Sequence, residues 1–247
     1  MKTLEEAGIP FLVGGAYALR EYTGVVRDTK DFDIFLCKES VEPALQLFRG
    51  AGYRAGIAFE HWLAKVHHGE AFIDMVFRAG NGLCDVDERW FERVRTANLL
   101  GIKVRLVPAE FMIWQKAYIM ERERFDGADV NHLIRSCAVE LNWPQLVALF
   151  GPDWRVLMSH LIVFGFVYPE DRGLVPHSIL DELLRRLGSE NHSPHSDGRL
   201  CQGTLLSRQQ YLADVERWGY ADARLSSRSH MSESEIRHWT DAIDNPV

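Results

Sequence analysis

Two hydrophobic patterns divide the chain. Up to about residue 105, short apolar runs typical of strands alternate with segments whose apolar residues recur at helical spacing. From Pro108 onward the apolar residues recur about every 3.6 positions, as in packed helices. The pattern predicts an α+β protein in which residues 1–106 form a small mixed β-sheet with flanking helices. Residues 107–247 are predicted to form an α-helical bundle.

Local signals refine this prediction. The strand-like runs are IPFLVGG, DFDIFLC, HWLAKVHHG, EAFIDMVFRAG and GIKVRLV. A glycine-containing turn separates the third run from the fourth, which predicts a hairpin. Ser40 is placed to cap the helix that follows the second run. GSENHSPHSDGR, residues 188–199, has the composition of a loop and is predicted to be the most mobile stretch.

The composition is that of a globular protein. The 247 residues are 47% hydrophobic and 26% charged, enough to form a substantial core. No uninterrupted apolar run approaches the roughly 20 residues that a membrane helix needs, and the first residues do not resemble a signal peptide. The four cysteines are scattered without a CxxC pair. We therefore expect a cytoplasmic protein without a membrane partner.

The net charge bears on the choice of partner. At −7, the chain lacks the basic balance usual in proteins that bind nucleic-acid phosphates. A local basic groove could still bind nucleic acid. The overall charge favours a small or cationic substrate, or a protein partner.

Two carboxylates interrupt the second strand-like run. Asp31 and Asp33 are two residues apart, so in a strand their side chains point to the same face. Such a pair repels unless a cation neutralises it, and a hard divalent ion with oxygen ligands is the natural partner. Asp74 occurs in a matching apolar setting, AFIDMVF. If the two strands are neighbours, the three carboxylates could hold the two ions used for in-line phosphoryl transfer.

A glycine pair precedes the carboxylates. Gly14 and Gly15 end the first strand-like run and lead into a helix. Glycines at such a turn permit positive φ and let backbone amides and a helix N-terminus approach a phosphate. The glycine pair, a helix and then a D-x-D strand together predict a phosphate site beside a metal site.

These motifs resemble those of the nucleotidyltransferase superfamily related to DNA polymerase β. The similarity is greatest to the bacterial branch with aminoglycoside and lincosamide nucleotidyltransferases and abortive-infection nucleotidyltransferase toxins. The matching residues are Gly14, Gly15, Arg27, Thr29, Asp31, Asp33 and Asp74. The resemblance implies Asp31, Asp33 and Asp74 as catalytic metal ligands for Mg²⁺ or Mn²⁺. It further implies that an NTP is bound by Gly14, Gly15, Arg27 and Thr29.

Two lysines extend the predicted nucleotide site. By the same resemblance, Lys116 in WQKAYIMERERFDGADVNHL is expected to contact phosphate, and Lys65 to contact triphosphate or substrate. Structural roles compete with these assignments. Lys116 could be an ordinary helix lysine, Asp126 could cap the next helix, and Asp129 could pair with Arg122 or Arg124.

The sequence thus predicts a metal-dependent nucleotidyltransferase that moves an NMP from an NTP to a hydroxyl. The acceptor is left open between a small molecule, a tRNA and a protein. Two alternatives keep the same fold. One is a non-catalytic nucleotide-binding or regulatory module, and the other is the toxin of a toxin–antitoxin pair.

Overall fold

A computed structural model describes residues 1–190 and 198–243. Most of the predicted loop over residues 188–199 therefore lies outside the described residues. The chain divides into two compact units. The first contains residues 1–108 together with the described residues from Ala223 onward, and the second contains residues 109–222. The C-terminal segment thus packs with the β-sheet half of the chain.

A seven-stranded mixed sheet organises the first unit. Its strands are β1 Leu12–Val13, β2 Asp31–Phe35, β3 Arg54–Phe59, β4 Leu63–His68, β5 Ala71–Val76, β6 Arg95–Leu99 and β7 Ile102–Leu106. They lie in the order β3-β4-β5-β2-β1-β7-β6. Strands β2 and β5 pair in parallel, as do β1 and β7, and the other neighbours are antiparallel. The predicted hairpin is β4–β5.

Helices complete the two units. The first unit contains α1 Lys2–Glu6, α2 Gly15–Thr23 and α3 Val41–Gly50. The second unit contains α4 Ala109–Ala117, α5 Gly127–Cys137, α6 Trp143–Phe150, α7 Trp154–Val167, α8 His177–Glu190 and α9 Leu212–Glu216. It also has a two-stranded parallel pair, β8 Leu200–Cys201 with β9 Ala221–Asp222. The last helix, α10 Glu233–Asp241, returns to the first unit. The α+β architecture is confirmed.

The sheet of the first unit separates apolar from polar residues by face. Ile34, Met75 and Ala64 lie in register across β2, β5 and β4, and each is at most 1% exposed. Because side chains alternate between faces along a strand, Asp33, Asp74 and Lys65 share the opposite face. The apolar residues that flank the aspartates thus form core while the aspartates point away from it.

One apolar stretch in the second unit meets the length and composition expected of a membrane span. Residues Trp143–Val167 comprise α6, a 3-10 turn at Gly151–Asp153 and α7. Core helices of globular proteins meet the same criteria. The backbone also departs from helical geometry at Gly151, which has φ 50°.

Candidate active site

The central feature of the site is a pair of aspartates in register. Asp33 of β2 lies directly opposite Asp74 of the parallel strand β5. Neighbouring strands are about 4.8 Å apart, so two carboxylates on one face are held close together. On the other side of Asp74, Lys65 of β4 occupies the next position. Asp31 lies on the same face as Asp33, two residues earlier.

The glycine pair packs directly against this row. The Gly14 amide donates to the Asp33 carbonyl at 3.0 Å, and Gly14 is the N-cap residue of α2. Gly15 has φ 55°, and a Cβ placed there would lie 1.8 Å from Asp33 Oδ2. A side chain at residue 15 would therefore displace the Asp33 carboxylate. The start of α2 is held against Asp33 because both positions are glycine.

Asp74 is in an unfavourable setting for a carboxylate. Its side chain is 14% exposed, and Oδ1 has no hydrogen-bond partner. The nearest cation, Lys65 Nζ, is 3.7 Å from Oδ1, a distance longer than a hydrogen bond. Burial raises the pKa of Asp74 to about 6; Lys65 opposes this change, whereas Asp33 and Asp31 add to it. Lys65 therefore compensates the Asp74 carboxylate only in part.

The donor set fits a hard divalent cation in its chemistry. Asp31, Asp33 and Asp74 offer only carboxylate oxygens, and Oδ1 of Asp74 accepts no hydrogen bond. No cluster of three or more His, Cys, Asp or Glu side chains arranged to hold a metal occurs among residues 1–190 and 198–243. The protein thus contributes the ligand chemistry and an in-register pair rather than a closed cage.

The remaining predicted residues of the first unit lie on the loop before β2. Thr29 Oγ1 accepts from the Asp31 amide at 3.2 Å and lies 3.3 Å from the Asp31 carbonyl, so it fixes the start of the strand. Arg27 is exposed on this loop. These positions agree with a loop that leads directly into the carboxylate strand.

Lys116 belongs to the second unit, where it forms a largely buried ion network. Its Nζ lies 2.8 Å from Asp126 Oδ2 and 2.7 Å from Asp129 Oδ2. Arg124 donates one hydrogen bond to each carboxylate oxygen of Asp126, both of 2.8 Å, and so shares Oδ2 with Lys116. The expected capping role of Asp126 is wrong, since its side chain makes no cap hydrogen bond to α5. Its carboxylate is directed toward the two cations instead.

Several residues on the same face as Asp33 and Asp74 were not recognised from the sequence. One row of residues in register crosses four strands of the sheet. It consists of Asp31 of β2, Phe72 of β5, His67 of β4 and Arg54 of β3. The hydrophobic pattern does not identify β3, which contains Arg54. Burial and the charges of Arg54 and Lys65 lower the pKa of His67. The available signal was the two-residue spacing of Lys65 and His67 in HWLAKVHHG, which places both side chains on one face of a strand.

Comparison with known proteins defines the class. Residues 1–145 match the family described as nucleotidyl transferase of unknown function (DUF2204), and the chain belongs to this family. The match confirms the resemblance inferred from Gly14, Gly15 and the aspartates. No curated protein matches the chain in sequence.

Solved structures with a similar fold include nucleotidyltransferases. The antibiotic-resistance factor ANT(2'')-Ia is 18% identical, covers 64% of this chain and 91% of its own, and has a TM-score of 0.45. The lincosamide antibiotic adenylyltransferase LnuA is 14% identical, with coverages of 53% and 90% and a TM-score of 0.39. An antigenic nucleotidyltransferase-like protein from Paracoccidioides brasiliensis is 16% identical, with coverages of 70% and 87% and a TM-score of 0.41. With TM-scores below 0.5, these similarities do not by themselves establish a shared activity.

Proposed function

We propose that the protein is a metal-dependent nucleotidyltransferase that transfers an NMP from an NTP to a hydroxyl group. The observation that carries this proposal is the in-register pair Asp33–Asp74, with Gly15 packed against Asp33. The family match supports the class of reaction. The acceptor is a small molecule, a tRNA or a protein.

The transfer is a single in-line exchange at the α-phosphorus. The acceptor oxygen forms a bond to Pα while the bond from Pα to the bridging β-phosphate oxygen breaks, and pyrophosphate leaves. The hydroxyl proton passes to Asp74, whose unpartnered Oδ1 can accept a hydrogen bond from the acceptor. Asp74 is therefore proposed both as a metal ligand and as the base.

Binding of the triphosphate is assigned to residues at the N-terminal end of α2 and nearby. Gly14 and Gly15 leave room for the phosphates to approach the first amides of α2, where the helix dipole favours an anion. Arg27 and Thr29 are proposed to contact the triphosphate from the loop before β2. Lys65 is proposed to contact phosphate or substrate from β4.

Lys116 is proposed to contact a phosphate if it can share or exchange its present partners. Two carboxylates already bind its ammonium group. It can bind a phosphate only by sharing or exchanging these partners. A purely structural role is the competing assignment.

The metal is assigned to Asp31, Asp33 and Asp74. Mg²⁺ or Mn²⁺ bound there would neutralise the triphosphate, stabilise the leaving pyrophosphate and favour ionisation of the acceptor hydroxyl. The protein's contribution is to hold the carboxylates on one rigid face and to keep the Gly15 side of Asp33 free of side chains. Metal binding would also explain why Asp31, Asp33 and Asp74 occupy strand positions, which aspartate otherwise disfavours.

Pyrophosphate release tests the proposal. The protein is incubated with Mg²⁺ or Mn²⁺ and each α-labelled NTP, with candidate acceptors of the three classes. We expect label transfer and pyrophosphate release by the wild type and by Glu42→Gln, which neutralises a carboxylate that is 57% exposed on α3. Asp33→Asn and Asp74→Asn should abolish both. Nucleotide binding without release by any acceptor would favour the non-catalytic module instead.

A further inference from the structure

The carboxylate face continues past Asp74 onto the outer strands. Beyond Asp74, the next positions in register are Lys65 of β4 and Gly56 of β3. In the neighbouring row, Phe72 is followed by His67 and Arg54. We call these five residues, Arg54, Gly56, Lys65, His67 and Phe72, the outer shelf. All five belong to the first unit and share one face with Asp33 and Asp74.

The outer shelf combines positive charge with an aromatic ring. Lys65 Nζ lies 4.4 Å from the Phe72 ring centroid, and the His67 and Phe72 rings are 6.0 Å apart at 44°. Arg54 is exposed, whereas Lys65, His67 and Phe72 are half-buried. None of the five is acidic, and the one acidic residue of the β4–β5 turn is Glu70. This local charge is opposite in sign to the net charge of −7.

There is also room on the shelf for a ligand. A Cβ built at Gly56 would meet no atom within 4 Å, and its φ lies outside the left-handed region. The absence of a side chain therefore leaves open space between Lys65 and the edge of the sheet. A larger residue would fit there without backbone strain and would fill this space.

The outer shelf and the glycine pair lie on opposite sides of the aspartate pair. Gly14 and Gly15 lie at the β1 side of Asp33, because they follow β1 and pack against β2. The outer shelf lies at the β4–β3 side of Asp74. The aspartate pair therefore separates a phosphate-binding end from the shelf. If the NTP takes the glycine end, the shelf is next to the attacking hydroxyl.

The chemistry of the shelf selects among acceptors. Cations beside an accessible aromatic ring are the elements with which proteins bind nucleotide units, through phosphate contacts and stacking. When a divalent cation neutralises the carboxylate row, Lys65 and Arg54 leave the shelf positively charged, and an acceptor with several amino groups would be repelled there. The local charge thus disfavours a polycationic sugar and favours an anionic acceptor.

We propose that the outer shelf binds a phosphate-bearing acceptor, namely a nucleotide unit that presents its ribose hydroxyl to Asp74. The unit can be a free nucleotide or the end of a single RNA strand, which share this chemistry. The assignment of the outer shelf as an acceptor site rests on the proposed nucleotidyl transfer. Binding to the shelf can nevertheless be measured without any transfer.

The test is fluorescence anisotropy with a labelled ten-nucleotide single-stranded RNA, in Mg²⁺ and without NTP. The variants are Arg54→Gln, which removes a cation, and Gly56→Leu, which fills the open space. Arg89→Gln is the matched control, because it removes a cation that is 61% exposed elsewhere in the first unit. Arg54→Lys keeps the charge. Thermal unfolding verifies that each variant remains folded.

We expect Arg54→Gln to weaken binding about fivefold at low salt and to reduce the slope of log affinity against log salt by about 0.7. Gly56→Leu should weaken binding at least as much, while Arg54→Lys and Arg89→Gln stay near wild type. If unlabelled AMP displaces the labelled RNA completely from the wild type but not from Gly56→Leu, the occupant is a free nucleotide. Weak competition identifies a strand end.

Other outcomes overturn the proposal. These are no RNA binding, equal binding by Gly56→Leu and wild type, or tighter binding of a cationic aminosugar than of RNA. Pyrophosphate release with an unphosphorylated acceptor would refute the shelf while the nucleotidyltransferase function stands. Shelf-dependent RNA binding without any NTP turnover would refute the enzymatic function while the binding site stands.

Discussion

Gly15 couples backbone strain to the position of a proposed metal ligand. Its φ of 55° is in the region that favours glycine, and a Cβ would overlap the Asp33 carboxylate. We predict that Gly15→Ala lowers the free energy of unfolding by about 1–3 kcal/mol and reduces nucleotidyl transfer more than about tenfold. Denaturant unfolding and label transfer measure the two effects.

Gly8→Ala is the control for Gly15→Ala. Gly8 has φ 69°, but a Cβ there would meet no atom within 4 Å. This variant should show only the strain of about 1 kcal/mol and retain transfer activity. Equal activities of the two variants would contradict the steric role of Gly15.

Lys116 allows its structural and phosphate-binding roles to be separated. Lys116→Met leaves two largely buried carboxylates without their shared cation, and we predict a loss of about 3 kcal/mol in unfolding free energy. Arg124→Met removes a cation that is 64% exposed, and should cost about 1 kcal/mol or less. A folded Lys116→Met protein with unchanged stability and a raised KM for NTP would instead support a direct phosphate contact.

At the level of elements, the sequence predicted the central strands and not the edges of the sheet. Strands β2, β4, β5 and β7 follow apolar runs, because each packs against a core. The pattern did not predict β3 and β6, with sequences RAGIAF and RTANL, and these are the two edge strands. An edge strand has one neighbour and more solvent contact, so it needs no continuous apolar run. Arg54 and Gly56, the part of the outer shelf that lies on β3, were missed for this reason.

The pairing of strands is the other feature that the sequence could not supply. The D-x-D motif and the later Asp74 are both visible in the sequence. The two-residue spacing of Asp31 and Asp33 predicts that their side chains share one face of a strand. That Asp33 lies opposite Asp74 depends on the parallel pairing of strands separated by an intervening helix and hairpin. Long-range register has no local sequence signal, so the sequence supports this contact only on the condition that the two strands are neighbours.

The register leads to a stability prediction for the carboxylate row. Asp74→Asn removes a half-buried charge that faces other carboxylates and lacks a hydrogen bond at Oδ1. In EDTA we expect the free energy of unfolding to rise by about 1 kcal/mol, with transfer abolished. Glu42→Gln should change stability by less than about 0.5 kcal/mol. A large destabilisation by Asp74→Asn would indicate a structural role for the carboxylate.

At the scale of the whole molecule, the C-terminal segment is part of the sheet unit. Trp239 of α10 packs against Gly80, where a Cβ would lie 2.7 Å from the indole, and Ser229 donates to the Asn81 carbonyl. We predict that Trp239→Ala lowers the free energy of unfolding by about 2 kcal/mol. The control Trp218→Ala replaces an indole that is 61% exposed and should have an effect below about 0.5 kcal/mol. Equal effects would show that this packing contributes little.

His61 makes the same unit sensitive to acid. It is 2% exposed, and burial lowers its pKa to about 4, against the opposing effects of the Gly80 carbonyl and Glu235. Between pH 6.5 and 4 the unfolded chain binds a proton that the folded chain does not. The folded state should therefore lose up to about 3 kcal/mol as the pH falls through this window. Unfolding at pH 7.5 and 5 should reveal this loss in wild type and in the exposed-site control His177→Gln, but much less of it in His61→Gln.

Asp33 and Asp74 are proposed to form a metal-dependent NTP site. Calorimetric titration with a non-hydrolysable NTP, with and without Mg²⁺, tests it most directly in the wild type, Asp33→Asn, Asp74→Asn and Glu42→Gln. We expect Mg²⁺-dependent binding by the wild type and Glu42→Gln, and its loss in Asp33→Asn and Asp74→Asn when these variants remain folded. Binding that is indifferent to Mg²⁺, or that survives in Asp33→Asn and Asp74→Asn, would contradict it.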